Sequence, residues 1–328
     1  MQAIVYAEYG APDAVLTLRD VDRPSAEDDE VLVRIHAASA NPYDWHYLRG
    51  LPYPMRLTGI GLRRPKATTI LGSDMAGRVE AVGGKVTRFE PGDNVYAEVG
   101  NGAFAEYIAV AEDSLGKAPA GATFEQAAAV PLAGMTALVG VRDKGAVQPG
   151  HRVLINGASG GVGSFAVQIA KSMGAEVTGV CSTKNVDLVR SIGADHVIDY
   201  TRTDFTEGSE RYDLILDTVG NHSMRACRRV LTPNGTYGSS GGGRGRWFGP
   251  MMQQLKAVAV SPFVSQHLVA VNDVPNQDLA FLTELIESGK VTPVIDRTYP
   301  LNEAPEAMRY LEEGHARGKI VINVAAGE

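Results

Sequence analysis

Residues 152–174 read RVLINGASGGVGSFAVQIAKSMG: an apolar run, a glycine-rich turn and an amphipathic run with no gap between them. Nothing else in the chain restricts its fold as much. RVLIN has the unbroken apolar character of a strand buried on both faces, and GVGSFAVQIAKSMG has the spacing of a helix. The turn, Asn156-Gly157-Ala158-Ser159-Gly160-Gly161-Val162-Gly163, fits the pattern GxGxxG with Ala158 in the first glycine position and Gly160 and Gly163 in the others. Gly160 lets a backbone approach a pyrophosphate, and Gly163 lets the helix pack close to the strand. The helix N-terminus adds free N–H groups and a partial positive charge. Many α/β domains carry a glycine-rich turn that binds nothing. The strand–turn–helix setting is what predicts a dinucleotide site here.

Strands and helices continue to alternate beyond this unit. EVTGVCS, HVIDY, YDLILDTVG and GTYGSS read as strands, with NVDLVRSIG and HSMRACRRVL as helices. This alternation predicts an α/β, doubly wound parallel sheet. The first 120 residues have another texture: short β runs cut by Gly and Pro, among them AIVYAEY, EVLVRIHAASA, MAGRVEAVG, DNVYAEV and AFAEYIAVA. These predict a sandwich or barrel. Thr123 and Gln126 stand at capping-box spacing ahead of AAAVPLAGMTALVGV. The tail puts apolar residues at helical spacing in QDLAFLTELIESG and NEAPEAMRYLEEG, then ends in KIVINV, a strand. We expect it to return to the first domain. The expected division is 1–124, 125–274 and 275–328, the last completing the first.

Composition narrows the function. The formal net charge is −7 over 328 residues, without basic runs, which disfavours nucleic acid as a partner. No window of about 18 apolar residues predicts a membrane span, and the N-terminus MQAIVYAEYG lacks the pattern of a signal peptide. The two cysteines, Cys181 and Cys227, form no CxxC pair and fit a reducing compartment. The expected location is the cytoplasm. The end of the second α/β strand reads Val180-Cys181-Ser182-Thr183-Lys184. NAD sites usually carry an Asp or Glu there for the ribose 2′-hydroxyl. Two hydroxyls and an ammonium suit a 2′-phosphate instead, so the expected cofactor is NADPH, unless Lys184 is merely a solvated lysine.

At this point the chain resembles the medium-chain dehydrogenase/reductase superfamily, and within it the zinc-free, zeta-crystallin-like quinone oxidoreductase group. The resemblance rests on LINGASGGVGSFAVQIAKSMGAEVTGVCSTKN and GADHVIDY, on ASANPYDWHYLRG, and on LGSDMAGRVEAVG, PGDNVY, GAFAEY and AAAVPLAGMTAL. It implies a GroES-like β-barrel domain beside a Rossmann domain, with the active site in the interdomain cleft. It also implies pyrophosphate contacts at Ser159, Gly161 and Val162, 2′-phosphate contacts at Ser182 and Lys184, an adenosine-side contact at Tyr200, and a nicotinamide-side position at Thr136. Zinc-dependent relatives carry Cys near Asn41 and His-Glu where this chain has Ser73-Asp74, so the resemblance implies no catalytic zinc. Asp44, His46 and Asp74 are the residues left that could hold a metal.

A site without zinc suits substrates already activated toward hydride, such as quinones and α,β-unsaturated carbonyls. It then needs hydrogen-bond donors at the forming oxyanion and a source of the proton. Candidates are Asn41, Asp44 as an orienting group, His46 and Tyr53, with solvent as an alternative proton source. Tyr43, Trp45, Tyr47 and Tyr53 can equally be wall packing. A basic stretch at 55–69, with Arg56, Arg63, Arg64 and Lys66, reads as a surface loop or a substrate rim. The run 239–249 reads as a mobile lid or a surface loop. The apolar runs 257–260 and 268–271 are expected to be strands that pair across a homodimer, hiding an edge. Alternative readings on the same fold are a zinc-free alcohol or aldehyde reductase and a non-catalytic NADPH-binding protein.

Overall fold

The computed structural model describes residues 1–58, 60–65, 67, 69–241, 257, 260, 261, 264–271 and 276–324, the side chain of residue 58 excepted. The first strands are β1 (Gln2–Tyr6), β2 (Thr17–Asp20), β3 (Glu30–Ala40), β4 (Thr69–Ile70), β5 (Asp74–Val82), β6 (Asn94–Glu98), β7 (Tyr107–Ala111) and β8 (Gly116–Lys117). Then come β9 (Arg152–Asn156), β10 (Glu176–Cys181), β11 (His196–Asp199), β12 (Tyr212–Asp217), β13 (Leu231–Ser239), β14 (His267–Ala270), β15 (Ile295–Pro300) and β16 (Lys319–Asn323). The chain forms two compact units. One comprises Met1–Met135, Pro275–Ser288 and Pro293–Glu328, and the other Thr136–Val274 and Gly289–Thr292.

The first unit is built around β3. Its eleven residues are almost all buried, because both of its edges and both of its faces are covered. Along one edge it pairs antiparallel with β5 throughout. On the other edge its first half, Glu30–Arg34, pairs with β7 and its second half, Ala37–Ala40, with β16. The sheet runs β15-β16-β3-β5-β6-β8, and a second sheet runs β2-β1-β4. Val33, Ile35, Met75, Val95, Phe104 and Ile320 form part of one apolar core. The expected capping box is present: Gln126 N donates to Thr123 Oγ1 at 3.2 Å, and Thr123 N to Gln126 Oε1 at 3.0 Å. It starts a helix at Phe124–Ala128, followed by another at Pro131–Leu138.

The second unit is a parallel sheet in the order β11-β10-β9-β12-β13-β14. Strand order reverses between β9 and β12, the place where doubly wound sheets bind ligands. The centres of β9 and β12, Val153–Ile155 and Leu214–Leu216, are fully buried, as strands with both faces covered should be. Among the described residues the sheet's two edges are β11 and β14. Of the run 257–260, expected as a strand, Ala257 and Val260 are helical, and residues 258 and 259 lie outside the described residues. Lys66 and residues 242–249 of the 239–249 run lie outside them as well.

The helix after β9, Gly161–Ser172, buries every residue from Gly163 to Ala170. Such close packing needs a missing side chain where helix meets turn. A Cβ on Gly163 would lie 2.1 Å from the carbonyl oxygen of Gly157, a rigid backbone atom. Gly163→Ala should therefore destabilise the protein by about 1–3 kcal/mol through overpacking. Thermal melts would show a Tm lowered by several degrees. An unchanged Tm would mean that the turn yields freely.

Candidate active site

Two groups of polar residues gather at strand ends, one in each unit. In the second unit the carboxyl ends of the strands lie level: Asn156 is paired with Val180 and Asp217, Asp217 with Ser239, and Cys181 with Asp199. The turn after β9 begins at Gly157, whose φ of +89° favours glycine and whose Cβ would meet Thr218 Oγ1 at 2.4 Å. The tight-turn role falls to Gly157. Ala158, aligned to that position in the sequence, is fully buried and donates its N–H to Val180 O at 3.0 Å. Gly160 caps the following helix, and no side chain does. A Cβ there would meet only Gly157 O, at 3.4 Å. The first-turn N–H groups are thus left to a ligand, and the approach to them is open. A pyrophosphate fits this cradle.

Asp217 closes the turn from below. It is fully buried, and its Oδ1 accepts from Asn156 Nδ2 (2.8 Å), Val219 N (3.1 Å) and Gly220 N (2.8 Å). Its Oδ2 accepts from the Tyr237 hydroxyl at 2.8 Å. Asn156 Nδ2 also donates to Asn221 Oδ1 at 2.9 Å. Sequence reasoning passed over Asp217; an acid ending the apolar run LILD was the available signal. Ser159 is buried, and its hydroxyl accepts from Asn185 Nδ2 at 2.9 Å. Ser182 is half-buried, Lys184 is exposed, and Tyr200 is 53% exposed. Thr136 is buried in the helix Pro131–Leu138. One acid stands near the second strand's end after all. Asp199, on the neighbouring β11, accepts from Thr183 Oγ1 at 2.6 Å and Thr201 Oγ1 at 2.7 Å, and these bonds hold its carboxyl below the usual range. Only the strand register reveals it. Burial pushes the thiols of Cys181 and Cys227 up to about 11 and about 12.

In the first unit the helix Pro42–Arg49 follows β3 directly. Asp44, in its first turn, accepts the Asn41 N–H at 2.7 Å. The Asn41 side chain, 1% exposed, turns the other way. Its Nδ2 donates to Asp74 Oδ2 (2.9 Å), Ser73 Oγ (3.1 Å) and Ser39 O (3.3 Å), and its Oδ1 accepts from Lys319 Nζ at 2.5 Å. Asp74 accepts in addition from Ser39 Oγ at 3.0 Å and Leu132 N at 3.1 Å, and pairs with Lys319 at 3.3 Å. Asp44 and Asp74 have no solvent contact, and Lys319 is 3% exposed. Burial, opposed by the Asn41 N–H, pushes the Asp44 carboxyl up to about 7, and its Oδ1 has no hydrogen-bond partner among the described residues.

His46 stands apart from this cluster. Its Nδ1 lies 2.8 Å from Leu51 O, so Nδ1 carries the proton, and burial lowers its pKa. The neutral ring then offers Nε2 as an acceptor. Trp45 packs against the core and donates to Glu312, which also holds Arg49 at 2.6 Å. The rings of Tyr43 and Tyr47 lie 4.6 Å apart. Tyr53 opens a 3-10 turn, Tyr53–Thr58, with the Arg56 guanidinium 4.9 Å from its ring. Arg56 also donates to Gly50 O at 2.8 Å, and the Tyr9 hydroxyl donates to Gly61 O at 2.8 Å, so this segment is tied down at both places. The structure thus gathers Asn41, Asp44 and Asp74, and leaves His46 and Tyr53 outside their network. Sequence reasoning missed Lys319.

Comparison with known proteins follows the two units. Residues 27–120 match the family model of the alcohol dehydrogenase GroES-like domain, and residues 192–322 that of the zinc-binding dehydrogenase. The chain is 33% identical over 369 residues to the mouse (Mus musculus) mitochondrial NAD(P)H oxidoreductase RTN4IP1, covering 99% of this chain and 89% of that protein. It is 34% identical over 339 residues to a chloroplastic NADPH-dependent alkenal/one oxidoreductase of Arabidopsis thaliana, covering 98% of this chain and 79% of that protein. A solved quinone oxidoreductase from Coxiella burnetii superposes with a TM-score of 0.86 at 29% identity, covering 99% of both chains.

The buried Asp44 generates a pH prediction. Its carboxyl titrates higher in the folded protein than its unfolded value of about 3.9, so the folded state holds the extra proton between the two. Stability from this group is complete below about pH 4 and is lost as pH rises through about 7. Asp44→Asn keeps an acceptor for the Asn41 N–H and removes the titration. Stability of the wild type relative to this variant should fall by up to about 4 kcal/mol between pH 4 and pH 8. Parallel curves of denaturation midpoint against pH would refute the shift.

Proposed function

The chain belongs to the medium-chain dehydrogenase/reductase superfamily, in its quinone oxidoreductase group, and on that premise we propose that it is an NADPH-dependent, zinc-independent reductase of quinones or α,β-unsaturated carbonyls. That it is an oxidoreductase using a reduced nicotinamide dinucleotide follows from the family. When bound, that cofactor supplies a hydride. The N–H groups at Gly161 and Val162 would hold its pyrophosphate over Gly160, Ser182 and Lys184 its 2′-phosphate, Tyr200 its adenosine side, and Thr136 its nicotinamide side.

The observation that carries zinc independence is the ammonium of Lys319 bonded to Asn41 Oδ1 and Asp74. Zinc takes Cys and His readily, and catalytic sites supply three protein ligands. This cluster offers one shared carboxylate, an amide and hydroxyls, with a cation already on the two best oxygens. Among the described residues no three His, Cys, Asp or Glu side chains converge elsewhere. The residues do not fit zinc. Without a Lewis acid, the substrate itself must delocalise the charge it receives, as quinones and enones do. Names of the compared proteins, alkenal/one and quinone oxidoreductase, support the same substrate class. We assign the Tyr53 hydroxyl as the substrate-facing donor and Asn41 and Asp44 as positioning residues. His46, neutral and bound to Leu51 O, holds its own segment. Solvent supplies the proton. Two buried free thiols fit a reducing compartment, for which we propose the cytoplasm.

The test is steady-state NADPH oxidation with 9,10-phenanthrenequinone, an alkenal and a saturated aldehyde, with and without chelator. Turnover on either of the first two, none on the aldehyde and no chelator effect are expected. Aldehyde turnover alone would favour an alcohol-type reductase, and tight NADPH binding with no turnover a binding protein. Lys184→Ala should raise the Kd for NADPH about tenfold to a hundredfold, the worth of one charge-assisted hydrogen bond, and leave NADH nearly unchanged. Equal effects on both cofactors would refute the 2′-phosphate assignment.

We also propose a homodimer that pairs β14 of two copies, because among the described residues β14 is one of the two edge strands of its sheet and a second strand would cover that edge. Light scattering at micromolar concentration should give twice the 34.9 kDa chain mass. A monomer would overturn the pairing.

A further inference from the structure

We propose that the Lys319 ammonium is a built-in cation, seated on the oxygens of Asn41 and Asp74 that a metal ion would otherwise take, and that it permanently compensates the buried Asp74 carboxylate. The inference rests on the zinc-independent reading above and deepens it. The placement follows from strand register. Ser39 on β3 faces Asp74 on β5, and Ile320 on β16 faces Ala40. Asn41 and Lys319 each lie one residue beyond that last pair, Asn41 past the end of β3 and Lys319 at the start of β16. Three neighbouring strands therefore deliver a hydroxyl, an amide, a carboxylate and an ammonium to one level.

Two oxygens hold the ammonium. Lys319 Nζ donates to Asn41 Oδ1 at 2.5 Å and to Asp74 Oδ2 at 3.3 Å. These oxygens are among the hard donors that a divalent ion of the magnesium or manganese type would take. The ammonium also fixes the Asn41 amide. With Oδ1 on Lys319, Nδ2 must face Asp74, Ser73 and Ser39 O, and all three accept it. Lys319 is 3% exposed and Asp74 0%, so bulk ions cannot replace the lysine without opening the unit. A buried carboxylate that loses its cation is strongly destabilising, whereas removing both charges together need not be.

The test uses the full chain and reads stability, with no turnover assay. Lys319→Ala should lower Tm by about 10 °C, as expected for an uncompensated buried charge. Adding methylammonium or Mn2+ should then raise the Tm of this variant and leave that of the wild type unmoved. Lys319→Met, which fills the space without charge, should be equally destabilised and respond to neither cation. Asp74→Asn added to Lys319→Met should recover stability, because both partners of the pair are then neutral. The double variant also serves where the single variants do not accumulate, since the proposal requires it to fold. If Lys319→Ala responds to neither cation, or if the double variant is no more stable than Lys319→Met, the built-in cation is refuted. Zinc at one ion per wild-type chain by elemental analysis would instead refute the zinc-independent reading. The two failures are thus separate.

Discussion

Burying charge at strand ends is the constraint around which both units are arranged. An ionised carboxylate without water must find either a cation or several donors, because desolvation costs several kcal/mol even after relaxation. The first unit gives Asp74 a cation, Lys319, and adds Asn41, Ser39 and the Leu132 N–H. The second unit gives Asp217 four donors among the described residues: an amide, two backbone N–H groups and a phenol. Each solution locks a particular piece of backbone. Around Asp74 it locks the exit of β3 into the helix Pro42–Arg49. Around Asp217 it locks the turns that follow β9 and β12.

The second of these turns explains why the glycines fall where they do. Thr218 donates through N and Oγ1 to Asn156 O, at 3.1 and 2.8 Å. That holds the Thr218 side chain across the start of the glycine turn, leaving no room for a Cβ on Gly157. The backbone must then rise steeply at positive φ, and Gly163 must let the helix come down upon the carbonyl it leaves behind. A Cβ on Gly160 would meet only Gly157 O, at 3.4 Å, and that side of the turn would admit the proposed phosphate. A rigid turn with one open face binds a preformed shape, so little ordering entropy opposes the ligand.

Pattern and spacing made the parallel sheet, the glycine turn and the Thr123 capping box legible in the sequence. What was not legible depended on register between distant segments. Asn41 reads as a free donor in NPYDWHYLRG, yet its amide is wholly engaged by residues 32 and 278 positions away. Lys319 reads as an ordinary charged residue opening a strand, and only β16 beside β3 turns it inward. The acid sought at the end of β10 stands instead on β11, opposite Cys181. Alternation of small and apolar residues at 257–260 suited a strand equally well as a helix, a short-run ambiguity that composition could not resolve. The GxGxxG template passes over Gly157, because it counts glycines and cannot see that this one has positive φ.

Taken together, the electrostatics of the segment from Asn41 to Tyr53 limit what chemistry it can support. His46 is held neutral, with its proton spent on Leu51 O. Asn41 has no donor left over, and Asp44 is sealed from solvent beside it. Both thiols are buried, and burial raises them. A ground-state aldehyde would need a positioned proton donor or a metal for the alkoxide that hydride transfer creates, because that charge sits on one oxygen. An enone or quinone spreads the same charge over a conjugated system and needs only a weak donor nearby. With Asn41 and Asp74 committed to each other and to Lys319, such a site would suit the proposed substrates, which bring their own stabilisation, and its contribution would lie in holding its parts still.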